Sequence, residues 1–212
     1  KYLGLNIKTA AVNLTQNIIA GVPRLSMDTG GAKAGRLFLE AANDLKRSVT
    51  RKGLAPAGKG RFTDSERAFL EDMFHEGWGQ SQLVNEMRGK VSGPFKRQLA
   101  KAVQVAGLPM EMAERFNRMS LGLAAFRAAR AGMVTGNRAL KEFKLEPGQK
   151  ASAEVAKLFA ASVMNDAHCG YGKGNLPSLL RGTAAGKALR TSFYFRSFSH
   201  NLLSMWRWML TD

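Results

Sequence analysis

The chain has 212 residues, 45% of them hydrophobic and only 6 of them proline, a composition that supports a packed core and excludes a proline-rich or apolar-poor disordered chain. Its 32 Lys and Arg outnumber 16 Asp and Glu, and the formal charge of +16 draws polyanions: nucleic acid, anionic lipid or acidic protein surfaces. Cys169 is the only cysteine, which excludes an internal disulfide. No run reaches the roughly 18 to 20 apolar residues that a membrane-spanning helix needs.

The sequence opens at Lys1 inside an apolar pattern, without an initiator Met or a leader, and this predicts a segment of a larger polypeptide. From Tyr2 to Val22 the residues Leu3, Ile7, Ala10, Ala11, Leu14, Ile18 and Ile19 recur at helical spacing, with Asn13, Gln16 and Asn17 between them. The pattern predicts an amphipathic helix that Pro23 ends. Asp28 and Thr29 then read as caps of a second helix reaching about Lys52, with Leu37, Phe38, Ala41, Leu45 and Val49 inward. Its outer residues Lys33, Arg36, Lys46, Arg47, Arg51 and Lys52 are basic, and Lys59 and Arg61 follow in the glycine-rich connection that starts at Gly53. That connection reads as a linker or loop.

Thr63-Asp-Ser-Glu66 has the spacing of a capping box, which predicts a helix from Asp64 to Glu76. Gly77-Trp78-Gly79 breaks the pattern, and a short helix is expected from Ser81 to Met87. Gly93-Pro94 opens a helix from Phe95 to Ala106, which Gly107 is expected to stop. Pro109 then stands in the first turn of a further helix, carrying Met112, Phe116, Met119, Leu123 and Phe126 to about Ala131. A short helix from Asn137 to Phe143 follows, then an alanine-rich helix that Pro147 begins and that runs from Gly148 to about Asp166. Gly170-Tyr-Gly-Lys-Gly174 interrupts the pattern, and a last helix begins at Ala184 or Leu189 and ends at Leu210. No alternating pattern marks a strand. The expected fold is all-α, an irregular bundle of about eight or nine helices without a sheet. Three parts are expected: 1–62, basic helices and linker; 63–168, a central bundle; and 169–212, a glycine-rich loop and an aromatic helix.

Candidate chemistry is sparse. His75, His168, His200 and Cys169 do not form the two close pairs of a zinc site, and a polar helix end is the ordinary role of His168. Glu66, Glu71, Asp72, Glu111 and Glu114 are carboxylates that nothing in the spacing brings together, while Glu114, one turn before Arg118, predicts an ion pair of the exposed or partly buried type. Gly182-Thr-Ala-Ala-Gly-Lys187 lacks a spacer residue of a phosphate loop and has Ala188 where a Ser or Thr would hold Mg²⁺. No catalytic residue, metal ligand or cofactor is therefore expected, and the chain does not read as an enzyme.

Binding is the expectation instead. Lys33, Arg36, Lys46, Arg47, Arg51, Lys52, Lys59 and Arg61 are the candidate polyanion face, suited to phosphate contacts without sequence preference, with a solvated basic surface as the alternative. Along the last helix, Phe195, Phe198, Leu202, Trp206 and Trp208 are candidates for peripheral membrane or partner contact, with ordinary core packing as the alternative.

Three stretches carry a family resemblance. Met112-Ala-Glu-Arg-Phe-Asn-Arg-Met-Ser-Leu-Gly-Leu-Ala-Ala-Phe-Arg-Ala-Ala-Arg-Ala-Gly132 resembles a helix of very large tailed-phage proteins. Tyr171-Gly-Lys-Gly-Asn-Leu-Pro-Ser-Leu-Leu-Arg-Gly182, with the aromatic helix from Phe193, resembles a second element of those proteins, although Leu176 stands where their pattern has Arg before the proline. Leu3 to Gln16 resembles the helix that precedes both. The chain is thus similar to internal virion (ejection) proteins and related polyvalent phage proteins. The resemblance implies a helical region of a giant polypeptide packaged in the capsid interior with phage DNA, assembled with copies of itself and other virion proteins. It also implies delivery to the host envelope or cytoplasm during genome ejection. Two other readings stay open: a non-catalytic region of a large phage enzyme, such as a virion RNA polymerase or antirestriction protein, and a cellular nucleic-acid-binding module.

Overall fold

The computed structural model describes residues 15–46, 48–50, 53–54, 62–76 and 94–168, together with 203, 206 and 207. Among them lie six α-helices and one π turn: the π turn Asn17–Gly21, α1 Val22–Thr29, α2 Gly31–Lys46, α3 Asp64–His75, α4 Pro94–Arg130, α5 Asn137–Phe143 and α6 Ala153–His168. The all-α expectation holds. Its one exception among the described residues is a ladder of two residues per strand, β1 Val49–Thr50 against β2 Gly53–Leu54, antiparallel with Val49 opposite Leu54. This ladder falls where the second helix was expected to continue to Lys52, so α2 ends six residues earlier, at Lys46.

Pro23 does not end the first helix. A proline clashes with the carbonyl four residues back and donates no hydrogen bond to it. Just before Pro23 the backbone widens into the π turn, where the Val22 amide reaches the Asn17 carbonyl, five residues back. The wider turn carries the chain past the proline, which then occupies the opening of α1. The break comes at Gly30, whose φ of 84° lies in the left-handed region. Asp28 and Thr29 consequently close α1 and do not cap α2: the Thr29 hydroxyl donates back to the Leu25 carbonyl at 2.9 Å, and the Asp28 carboxylate pairs with Arg24.

The π turn also inverts the expected face. Ile18 and Ile19 are exposed, at 66% and 42%, whereas Gln16 and Asn17 are buried. One extra residue in a turn rotates the face that the chain presents, and Asn17 gains partners in the interior that an isoleucine could not use.

Thr63 and Glu66 form the expected capping box, with the Glu66 amide donating to the Thr63 hydroxyl at 3.2 Å and the Thr63 amide donating to the Glu66 carboxylate at 2.9 Å. By contrast, Gly107 and Pro109 do not divide two helices. α4 runs unbroken over 37 residues, about 55 Å at 1.5 Å per residue. A proline within a helix costs about 3 kcal/mol, an amount that burial along the second half of α4 exceeds, where Met119, Leu121, Leu123 and Phe126 are all within the core. α5 matches its expected bounds. Pro147 and Gly148 form a turn, and α6 starts later than expected, where the Ser152 hydroxyl accepts from the Val155 amide at 3.2 Å.

α4 is the axis of the fold and packs chiefly against α6 and α2. Close approach explains the small residues. A side chain at Gly122 would meet Met164 Sδ of α6 at 2.6 Å, and Ala124, Ala125, Ala128 and Ala129 of α4 are buried together with Ala156, Ala160 and Ala167 of α6. Larger residues fill the remaining space. Phe69 of α3 stacks on Phe126 with ring centroids 4.6 Å apart, and Phe143 meets Phe159 edge to face at 5.6 Å. The single core thus joins Leu25, Leu37 and Leu45 to Leu70, Phe126 and Phe159, on both sides of the expected division at residue 62.

Candidate functional site

Charge divides unevenly along the chain. Fifteen of the 32 Lys and Arg and thirteen of the 16 carboxylates belong to residues whose side chains are described. The other seventeen cations are matched by only Glu86, Glu111 and Asp212. Along the sequence, two runs carry cations without a single carboxylate: 47–61, with five Lys and Arg, and 169–211, with six.

Within the body, cations join helices. Arg127 of α4 reaches Asp44 of α2 at 2.8 Å and Glu66 of α3 at 2.6 Å. Arg24 of α1 is bonded to Asp28 and, at 2.9 Å, to Asp166 of α6. Burial disfavours the charge of both guanidiniums, but their paired carboxylates more than restore it and raise both pKa values above the ordinary arginine value. Lys157 of α6 spans Asp72 and Glu76 at 2.8 and 2.7 Å, and these hydrogen bonds raise its pKa. The expected Glu114–Arg118 pair forms at 3.2 Å, but it is buried where an exposed or partly buried pair was expected, because this part of α4 is packed into the core. Such contacts use charge for cohesion between helices.

Of the candidate polyanion residues, Lys33, Arg36 and Lys46 are described and all are exposed. They do not form one stripe. At about 100° per residue, Lys33 and Arg36 stand about 60° apart, while Lys46 lies about 140° round the helix from Lys33. Arg36 is also engaged with Glu40 at 3.0 Å. Arg47, Arg51, Lys52, Lys59 and Arg61 lie outside the described residues, or outside those whose side chains are described. In the aromatic set only Trp206 is described, exposed at 42%, with its neighbour Leu203 at 70%; Phe195, Phe198, Leu202 and Trp208 lie outside.

A buried polar cluster is the feature that the sequence pattern did not mark. Asn17 Nδ2 donates to the Asn117 carbonyl at 2.9 Å and to Ser120 Oγ at 3.3 Å. Gln16 Nε2 donates to the Ala167 carbonyl at 3.5 Å. His168 closes α6 in the interior beside Arg118, so its expected role at a polar helix end is replaced by full burial. Polar residues in an apolar run ordinarily face water, and only the π turn and the packing of α4 against α6 bring these inward. The one signal available was the run Gln16-Asn17 directly before two isoleucines.

Among the described residues no three His, Cys, Asp or Glu side chains gather as metal ligands, and no helix there is long and apolar enough to cross a membrane. Comparison of the chain with protein-family models, with curated proteins and with solved structures finds no match.

Proposed function

We propose that this chain is a structural, DNA-associated segment of a phage internal virion protein, packaged in the capsid and active in delivering the genome across the host envelope. The observation that carries the reading is the distribution of charge: cations paired with carboxylates between the described helices, and two sequence runs, 47–61 and 169–211, that hold eleven Lys and Arg and no Asp or Glu. Such a division suits a scaffold that assembles through its helices with copies of itself and other virion proteins, while its basic segments contact phosphate without reading bases. In this reading the complete chain holds about eight or nine helices, and Trp206 and its aromatic neighbours serve partner or peripheral membrane contact.

The test is retention of a labelled duplex by the chain over a range of salt concentrations, with and without alanine at Arg47, Arg51 and Lys52. Each lost phosphate contact reduces the slope of log K against log salt by about 0.9, so the triple replacement reduces it by about 2 to 3. Unchanged binding retires this stretch as the contact. Absence of the parent polypeptide from phage particles retires the ejection role itself.

A further inference from the structure

His168 lies at the end of α6 with 2% of its surface exposed, and neither Nδ1 nor Nε2 meets a partner at hydrogen-bonding geometry. Among the described residues, three elements surround this position. From α4 comes Arg118, already joined to Glu114 and with its own Nε buried without an acceptor, together with the backbone of Asn117. From the π turn and the residue before it come the uncharged Asn17 and Gln16, the second bonded to the carbonyl next to His168. Along α6 itself, Asp166 is held by Arg24 of α1. Among the described residues, Glu114 and Asp166 are thus each held by an arginine, and no other carboxylate there faces the ring.

A neutral ring suits this place and a charged one does not. Burial pushes the His168 pKa down to about 3, Arg118 pushes the same way, and the Asn117 backbone opposes them only in part. In an opened chain the ring takes its proton near the ordinary value of about 6.5. The opened form therefore binds the extra proton between those two values. Closure is unaffected above the upper value and weakens steadily as pH falls toward the lower one.

We infer that His168 is an acid-sensitive latch: its protonation parts the last turn of α6 from α4 and the π turn, releasing the contacts made by Gln16 and Asn17. The device works on the helical body and is independent of any contact with DNA. Because the charged ring finds no free counterion among the described residues, acid drives separation and not merely a local shift.

Amide hydrogen exchange of the intact chain, corrected for the intrinsic rate, tests this at about pH 7 and about pH 5, where most exposed carboxylates stay ionised. Uptake of one proton on opening lowers protection at residues 16–21 and 164–168 on the order of 20-fold between the two. In His168→Gln the same amides change by less than about twofold, because the replaced side chain takes up no proton. An equal loss in both proteins, or no loss in the unaltered chain, overturns the latch. Should His168→Gln fail to fold, NMR titration of the unaltered chain decides: a folded-state ring still neutral at about pH 5 supports the latch, and one titrating near about 6.5 overturns it.

Discussion

Arg127 Nε donates to Glu66 Oε1 at 2.6 Å, while Glu66 Oε2 accepts the Thr63 amide at 2.9 Å, so one carboxylate caps α3 and ties it to α4. With Asp44 on the same guanidinium, the tie extends to α2. A local signal that starts a helix is in this way coupled to the packing of three.

The coupling can be separated from the cap. Glu66→Gln keeps a side chain that can complete the capping box but removes the charge facing Arg127, and should cost about 1 to 3 kcal/mol. Glu66→Ala removes the cap as well and should cost about 1 kcal/mol more. Urea midpoints of the two variants give both terms, and a Glu66→Gln midpoint equal to that of the unaltered chain would remove the tie.

The inverted face at the π turn predicts opposite responses from adjacent residues. Asn17→Ala deletes the bonds to the Asn117 carbonyl and to Ser120, and should destabilise the chain by about 2 kcal/mol. Ile18→Ser replaces a side chain that is 66% exposed and should stay within about 0.5 kcal/mol. Thermal unfolding of the pair is decisive: a larger loss from the isoleucine would restore the amphipathic reading with Ile18 inward.

Two glycines in the left-handed region differ only in their surroundings. Gly132, with φ of 69°, ends α4: its amide donates to the Ala129 carbonyl and the next amide, of Met133, to the Ala128 carbonyl. A methyl group at Gly132 would strike the Gly148 carbonyl oxygen, whereas one at Gly148, with φ of 83°, meets nothing within 4 Å. Gly148→Ala should therefore cost about 1 kcal/mol from backbone strain alone, and Gly132→Ala about 3 kcal/mol or more. Equal denaturation midpoints would show that the two loops do not approach each other as described.

Local signals were legible and long-range compensation was not. The Thr63–Glu66 box and the bounds of α5 depend on side chains and backbone groups within a few residues, and they fall where the spacing puts them. Pro23, Gly107 and Pro109 read as boundaries because proline and glycine weaken an isolated helix. Tertiary burial offsets that weakness, and a π turn absorbs the clash at Pro23. Ser152, which caps α6, carries the right chemistry, but Pro147 offers a competing start several residues earlier. Among the candidate contacts, Lys33, Arg36 and Lys46 are exposed as expected, yet which other groups share their face depends on where each helix turns and stops.

By itself the sequence determined the helical class, the absence of any internal disulfide and the surplus of positive charge, because each comes from composition or short-range periodicity. Tertiary structure alone decided that α4 continues past Pro109, that Asn17 points inward while Ile18 points out, and that His168 is sealed beside Arg118. The reason is physical: a residue's local preference is worth about 1 kcal/mol, whereas burial against two neighbouring helices is worth several.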